Sequence, residues 1–187
     1  MPKFETIIPS EISVALDLGL LNRMDVSPRA QISVADLTKK IGQEIGVSPW
    51  RVVTQEMINE FADATDDHQF IHVDPIRAKK ETPFGTTIAH GYLTLSLIVP
   101  MSFETLPQIE GRSMAINYGL DKVRFLAAVP SGSRIRSWFK LKEVVPRSAD
   151  VLVKLEVTVE LEGSDKPAVY AEVLAIVVRA AKVGANP

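Results

Sequence analysis

The chain contains no cysteine. A disulfide framework, a thiolate nucleophile and a cysteine-bound metal are therefore excluded, and the composition fits a compartment such as the cytoplasm, where cross-links are not needed. A field of one charge sign is also missing, since 21 basic and 23 acidic residues are interspersed for a formal charge of −2. That leaves no basic face for a nucleic-acid backbone or an anionic membrane, and neither is expected as a partner. Long apolar runs are lacking too. Spanning a bilayer takes roughly 20 apolar residues, and the two most apolar stretches are interrupted by Pro100 and Glu172. Glu5, Glu11 and Asp17 break up the N-terminus where a secretory signal needs an unbroken apolar core. The expectation is a soluble, cytoplasmic protein. Its 187 residues, 46% of them hydrophobic, suffice for one core of ordinary size.

Histidine is scarce, and its placement is informative. His68, His72 and His90 are the three in the chain, and all fall within residues 65–91, TDDHQFIHVDPIRAKKETPFGTTIAHG, together with Asp66, Asp67 and Asp74. Ahead of this stretch, Pro9 to Asn22 can form a short helix with Ser10 as its N-cap. Residues 1–32 read as a helical extension docked on a domain of residues 33–180, with 181–187 as a tail. A short amphipathic piece starts at Ser33, and Val47 to Val53 reads as extended. Thr54 stands where an N-cap belongs, before a helix from Gln55 to Ala64 whose Met57, Ile58, Phe61 and Ala62 form one apolar stripe.

The polar stretch itself reads as a loop. Asp74-Pro75 restarts a helix to about Lys80, with aspartate as cap and proline in the first turn, where its missing N–H costs nothing. His90-Gly91 opens GYLTLSLIVPM, apolar on nearly every face and so expected to be buried all round, until Pro100 kinks or ends it. The pattern then turns to period two. Met114 to Tyr118 and Lys122 to Leu126 are two short candidate strands, and Ile135, Phe139 and Leu141 oppose Arg134, Arg136, Lys140 and Lys142 on a third. Val151, Val153, Leu155, Val157, Val159 and Leu161 alternate with Lys154, Glu156, Thr158 and Glu160, and Ala168 to Val178, apolar on both faces apart from Glu172, should lie centrally and close the sheet. One buried helix followed by successive antiparallel strands is most simply satisfied by an α+β hot-dog fold, the sheet wrapped around the helix.

TDDHQFIHVDPIRA followed by PFGTTIAHGYLTLSL resembles the hydratase motif of the MaoC-like dehydratases, the R-specific enoyl-thioester hydratases, in the nodulation protein N-like branch. The similarity runs from about Val34 to Val178 and includes AINYGLDKVRF and VPSGSRIR. It implies a hot-dog homodimer that reversibly hydrates trans-2-enoyl thioesters of coenzyme A or acyl carrier protein, without a cofactor or a metal. The paired catalytic residues implied are Asp67 and His72, with the Gly91 N–H as oxyanion donor. Leu95 and Val99 would line the acyl tunnel, and Arg124 and Arg134 would meet the pantetheine phosphates. Asp66 stands where glycine is usual in the motif, and Gln69-Phe70 replace asparagine and proline. A second carboxylate beside Asp67 could raise its pKa or compete for its role.

The residue types suit the reaction. A carboxylate can take a proton from the attacking water while an imidazole orients that water. A helix-start N–H faces the developing enolate oxygen. Glycine at position 91 lets the thioester approach the backbone. Other residues have sufficient local explanations: Asp74 as a cap, His68 as an exposed loop residue, His90 as a residue that fixes the loop. Zinc at His68 and His72 would need a helix to bring the two together, and the turn residues around them argue against one. Ser96 and Ser102 have no histidine nearby for a hydrolase triad. The alternatives to a hydratase are a hot-dog thioesterase and a non-catalytic acyl-thioester-binding subunit of a heteromeric dehydratase.

Overall fold

The structure, a computed structural model, describes residues 30–179. The helix expected over Pro9 to Asn22 and the tail 181–187 lie outside the described residues. In chain order come β1 (Gln31–Ile32), α1 (Val34–Thr38), β2 (Glu44–Val47), β3 (Arg51–Val52), α2 (Gln55–Thr65), α3 (Phe70–Val73), α4 (Pro75–Glu81), α5 (Gly91–Ser96), α6 (Ile98–Thr105), β4 (Gln108–Ile109), β5 (Arg112–Phe125), β6 (Arg134–Pro146), β7 (Asp150–Leu161) and β8 (Val169–Arg179). No helix among them is long and apolar enough to cross a membrane.

The main sheet has the order β2-β6-β7-β8-β5, with β3 also paired to β6, and every ladder in it is antiparallel. On β7 the alternation seen in the sequence becomes two faces. Val151, Val157 and Val159 are wholly buried, whereas Lys154 and Glu156 lie on the outer face, where Lys142, Lys154 and Glu172 form ion pairs. β8 lies inside the sheet, between β7 and β5, and β5 rather than β8 forms the edge. The two strands expected between Met114 and Leu126 are one strand of 14 residues. Register shifts at Asn117/Gly119 and Leu120/Lys122 absorb the polar interruption without ending the ladder, as β-bulges do.

The inner face of the sheet curls over α5 and α6, the hot-dog arrangement. Leu93, Leu97, Ile98 and Met101 from these helices meet Ile135, Phe139, Leu141 and the β7 valines in one core. Leu97 has helical φ and ψ, so α5 and α6 form one bent helix. Pro100 lies within α6 rather than at a helix end, and the break falls just before Ile98. Its missing N–H removes the bond to the Ser96 carbonyl and its ring crowds that carbonyl, which places the interruption one turn ahead of the proline. Burial on all sides is not observed: Tyr92 is 69% exposed and Ser96 is exposed, because the sheet covers one face of the helix and leaves the other open.

Candidate active site

The polar loop begins where α2 ends. Thr54 caps α2 by accepting from the Met57 N–H at 3.2 Å, a contact type that contributes about 1 kcal/mol. Asp66 closes the other end with φ 60°, in the left-handed region. This is the C-terminal position that glycine commonly fills, which accounts for the usual glycine there. The Asp66 carboxylate is fully exposed and sits 3.6 Å from His68 Nδ1. It is not among the groups that gather within 4.8 Å around the two buried histidines. Asp66→Gly is expected to raise unfolding stability by about 0.5–1 kcal/mol, by removing left-handed strain from a residue with a Cβ. A urea midpoint that falls instead would mean that the His68 contact outweighs the backbone strain.

His68 is exposed, as expected, and its Nε2 lies 2.9 Å from Asp63, whose hydrogen bond raises the imidazole above its ordinary pKa. His72 is placed differently. It sits on α3, a single helical turn where a loop was expected, closed by the Asp74 N–H donating to the Phe70 carbonyl at 3.0 Å. Asp74 then caps α4 by accepting from the Arg77 N–H at 2.9 Å. His72 is 7% exposed, and its Nδ1 lies 2.7 Å from the Ile88 carbonyl. A carbonyl only accepts, so Nδ1 carries the proton and Nε2 keeps its lone pair. Burial pushes the His72 pKa down, and His90 adds to this, against the opposing Ile88 carbonyl and Asp67. The shift favours the neutral ring.

His90, 3% exposed, stacks on His72 with ring centroids 3.7 Å apart, and tilts against Phe61 at 5.0 Å. Its Nε2–H donates to the Asp67 main-chain carbonyl at 2.9 Å, while its buried Nδ1 has no partner among the described residues. His90 thus fixes the loop by pinning the residue that carries the carboxylate. The Asp67 side chain is 55% exposed, and one donor atom from each of Asp67, His72 and His90 lies within 4.8 Å of the others.

A cavity of about 290 Å³ opens beside this cluster, lined by His72, Ala89, Gly91, Thr94, Phe125 and Val129 among others. Gly91 starts α5, and a Cβ there would come within 2.9–3.1 Å of three atoms of the Phe125 ring. The Phe125 ring, not open space, occupies the side of Gly91 that a side chain would take. A second, apolar cavity of about 120 Å³ is lined by Ile98, Val99, Phe103, Phe139, Leu155 and Val173 among others. Val99 is therefore a cavity residue, while Leu95 is half-buried against the core and lines neither space. Arg124 and Arg134 line neither cavity. The register pairs Arg124 with Tyr170 on the outer face, opposite to the face of Phe125 and Val169. Arg134 is bound to Glu162, with the Trp50 ring 5.8 Å away.

Sequence comparison decides the family. The MaoC like domain matches residues 36–163. Nodulation protein N of Rhizobium leguminosarum bv. viciae is 52% identical over 148 residues, covering 79% of this chain and 92% of that protein. The chain belongs to the MaoC-like dehydratase family. Another relative, 3-hydroxyacyl-thioester dehydratase Z of Mycobacterium tuberculosis, is 52% identical over 141 residues, covering 75% of this chain and 92% of that one. Among solved structures, the monoamine oxidase regulatory protein from Archaeoglobus fulgius superposes with a TM-score of 0.67 at 26% identity, covering 83% of this chain and 100% of that one.

Within this MaoC-like site, Asp67, His72 and His90 supply the one oxygen and two nitrogens that a zinc ion can take. One nitrogen of each ring already meets a main-chain carbonyl, Nδ1 of His72 at Ile88 and Nε2 of His90 at Asp67, so each histidine would have only its other nitrogen to offer such an ion. His68, weighed as a zinc ligand beside His72, is not in the cluster. Sequence reasoning missed Gln55, which bonds the main chain of His72 and the hydroxyl of Thr87. No local signal marks a partner 32 residues away.

Proposed function

We propose that this MaoC-like protein reversibly hydrates trans-2-enoyl thioesters to (R)-3-hydroxyacyl thioesters, with Asp67 and His72 as the acid-base pair. The observation that carries this reading is the convergence of Asp67, His72 and His90 within 4.8 Å, with His72 and Gly91 on the wall of one cavity. The chain's likeness to a protein named 3-hydroxyacyl-thioester dehydratase supports the same substrate class. The neutral His72 offers Nε2 as acceptor for a water, and Asp67 takes the proton as the water oxygen bonds to the β-carbon. The alkene electrons move toward the thioester oxygen, whose negative charge faces the Gly91 N–H at the start of α5. Return of a proton to the α-carbon completes the addition and leaves both groups as they began. No cofactor is consumed.

The carrier is coenzyme A or acyl carrier protein. Thr94 on the first cavity and Ile98 and Val99 on the second lie on consecutive turns of the bent helix, a rise of about 6 Å. The acyl chain extends from the first space toward the second. The test is hydration of crotonyl-CoA, followed as loss of the conjugated thioester absorbance. Release of free thiol in its place would establish a thioesterase, and saturable binding of the thioester without turnover would establish the binding-subunit reading.

The working unit is a homodimer. β5 forms one edge of the sheet over 14 residues and exposes Met114, Ile116, Tyr118 and Leu120, each at 44% or more. A long apolar edge of this kind templates further strand pairing unless it is covered, and a second copy of the chain covers it symmetrically. Sedimentation should give twice the chain mass of 20.6 kDa. Ile116→Lys should shift the protein toward the monomer, and a wild type that sediments as a monomer at micromolar concentration would refute the dimer.

A further inference from the structure

His72 is held at three points. Its Nδ1–H donates to the Ile88 carbonyl at 2.7 Å, its main-chain N–H donates to the Gln69 carbonyl at 2.9 Å, and its carbonyl accepts from Gln55 Nε2 at 2.7 Å. The third contact has a second end. Gln55 Oε1 accepts from the hydroxyl of Thr87, a wholly buried residue next to Ile88 in the chain. The Ile88 N–H in turn donates to the Ile71 carbonyl at 3.0 Å. One half-buried side chain on the first turn of α2 therefore joins the two segments whose separation sets the bond between the His72 ring and Ile88. The other Nε2 proton of Gln55 goes to Asn59 Oδ1 at 2.8 Å. Two acceptors face Nε2 and one hydroxyl faces Oε1, so the amide has a single orientation that satisfies all three.

We infer that Gln55 is a positioning residue, which holds the Ile88 carbonyl opposite His72 and so keeps the imidazole proton on Nδ1 and Nε2 free to accept. Either tautomer of a histidine is accessible in water, and the carbonyl opposite Nδ1 selects one of them. That selection works only while the carbonyl stays within hydrogen-bond reach, and Gln55 is the side chain that ties α3 to the segment of residues 87–88. The kinetic consequence rests on the proposed hydration, whereas the tautomeric consequence does not. A plain structural tie would move stability alone.

The test uses the full chain labelled with ¹⁵N at its histidines, His68, His72 and His90, whose long-range proton–nitrogen spectra distinguish Nδ1–H from Nε2–H. In the wild type, His72 should show the Nδ1–H form alone. Gln55→Leu and the isosteric Gln55→Glu, which cannot donate to the His72 carbonyl, should each show a mixture. Both should lose about 10- to 100-fold in kcat on crotonyl-CoA, the scale of a misplaced reacting group, with KM little changed. If the leucine variant does not fold, the glutamate variant carries the test. A pure Nδ1–H spectrum in a folded variant overturns the inference, whatever its kcat. A mixture in the variants, with a wild type that does not hydrate the thioester, would uphold the role of Gln55 and refute the proposed reaction.

Discussion

Asp67→Asn and His72→Asn should each lower crotonyl-CoA hydration by about 100- to 10,000-fold, the range that general acid-base assistance supplies, while the folded chain persists. Asparagine at position 67 removes the basic oxygen but keeps the shape of the side chain, and the main-chain carbonyl of Asp67 that holds His90 is untouched. The carboxylate is more than half exposed, so its loss leaves no buried charge without a partner. At position 72 the asparagine amide can still donate to the Ile88 carbonyl in place of Nδ1–H, yet it has nothing to offer where Nε2 stood. Both variants therefore separate chemistry from folding. Residual turnover above the uncatalysed rate should remain, since the Gly91 N–H, the proposed oxyanion donor, is retained in both variants and electrostatic stabilisation of an enolate does not depend on the pair. Unaltered turnover in either variant, measured beside a thiol assay and a thermal melt, would remove that residue from the mechanism.

What was legible in the sequence was what short-range physics sets. The alternation of β7, the Thr54 cap, the Asp74-Pro75 restart and the exposure of His68 each depend on residues within one turn or one pleat, and the structure has all four. What was not legible depends on partners far along the chain. β5 reads as two strands because Gly119 and Asp121 interrupt its pattern, but pairing with β8 along its whole length carries the ladder across both irregularities. The same irregularities shift the parity of alternation, so counting by twos cannot assign the face of Arg124. α3 is too short to show a period, and four residues stay helical because Asp74 bonds back to Phe70 while Gln55 and Ile88 hold His72 from other elements. The open face of α5 is hidden for a related reason: Tyr92 counts as apolar in composition yet stands 69% exposed at the rim.

Gly91→Ala should destabilise the protein by about 1–3 kcal/mol, as overpacking does, and reduce turnover about tenfold to a hundredfold through displacement of the α5 start. Two accounts of the glycine make the same prediction for this single variant. In one, the thioester needs the space. In the other, the Phe125 ring already fills it, with Cδ1 2.9 Å and Cγ 3.0 Å from where the Cβ would stand, and must shift to admit a methyl group, disturbing its edge-to-face contact with Tyr92 at 5.6 Å. Neighbours that share a contact respond non-additively, so a double-mutant cycle separates the accounts. Phe125→Ala removes the obstacle, and the doubly substituted Gly91→Ala/Phe125→Ala protein should then match Phe125→Ala alone in melting temperature and in kcat. The methyl group would project toward the vacated ring site and leave the Gly91 N–H, the proposed oxyanion donor, in place. A double variant that regains stability but not turnover would mean that the substrate itself lies against the Gly91 α-carbon, with Phe125 moving aside to admit it.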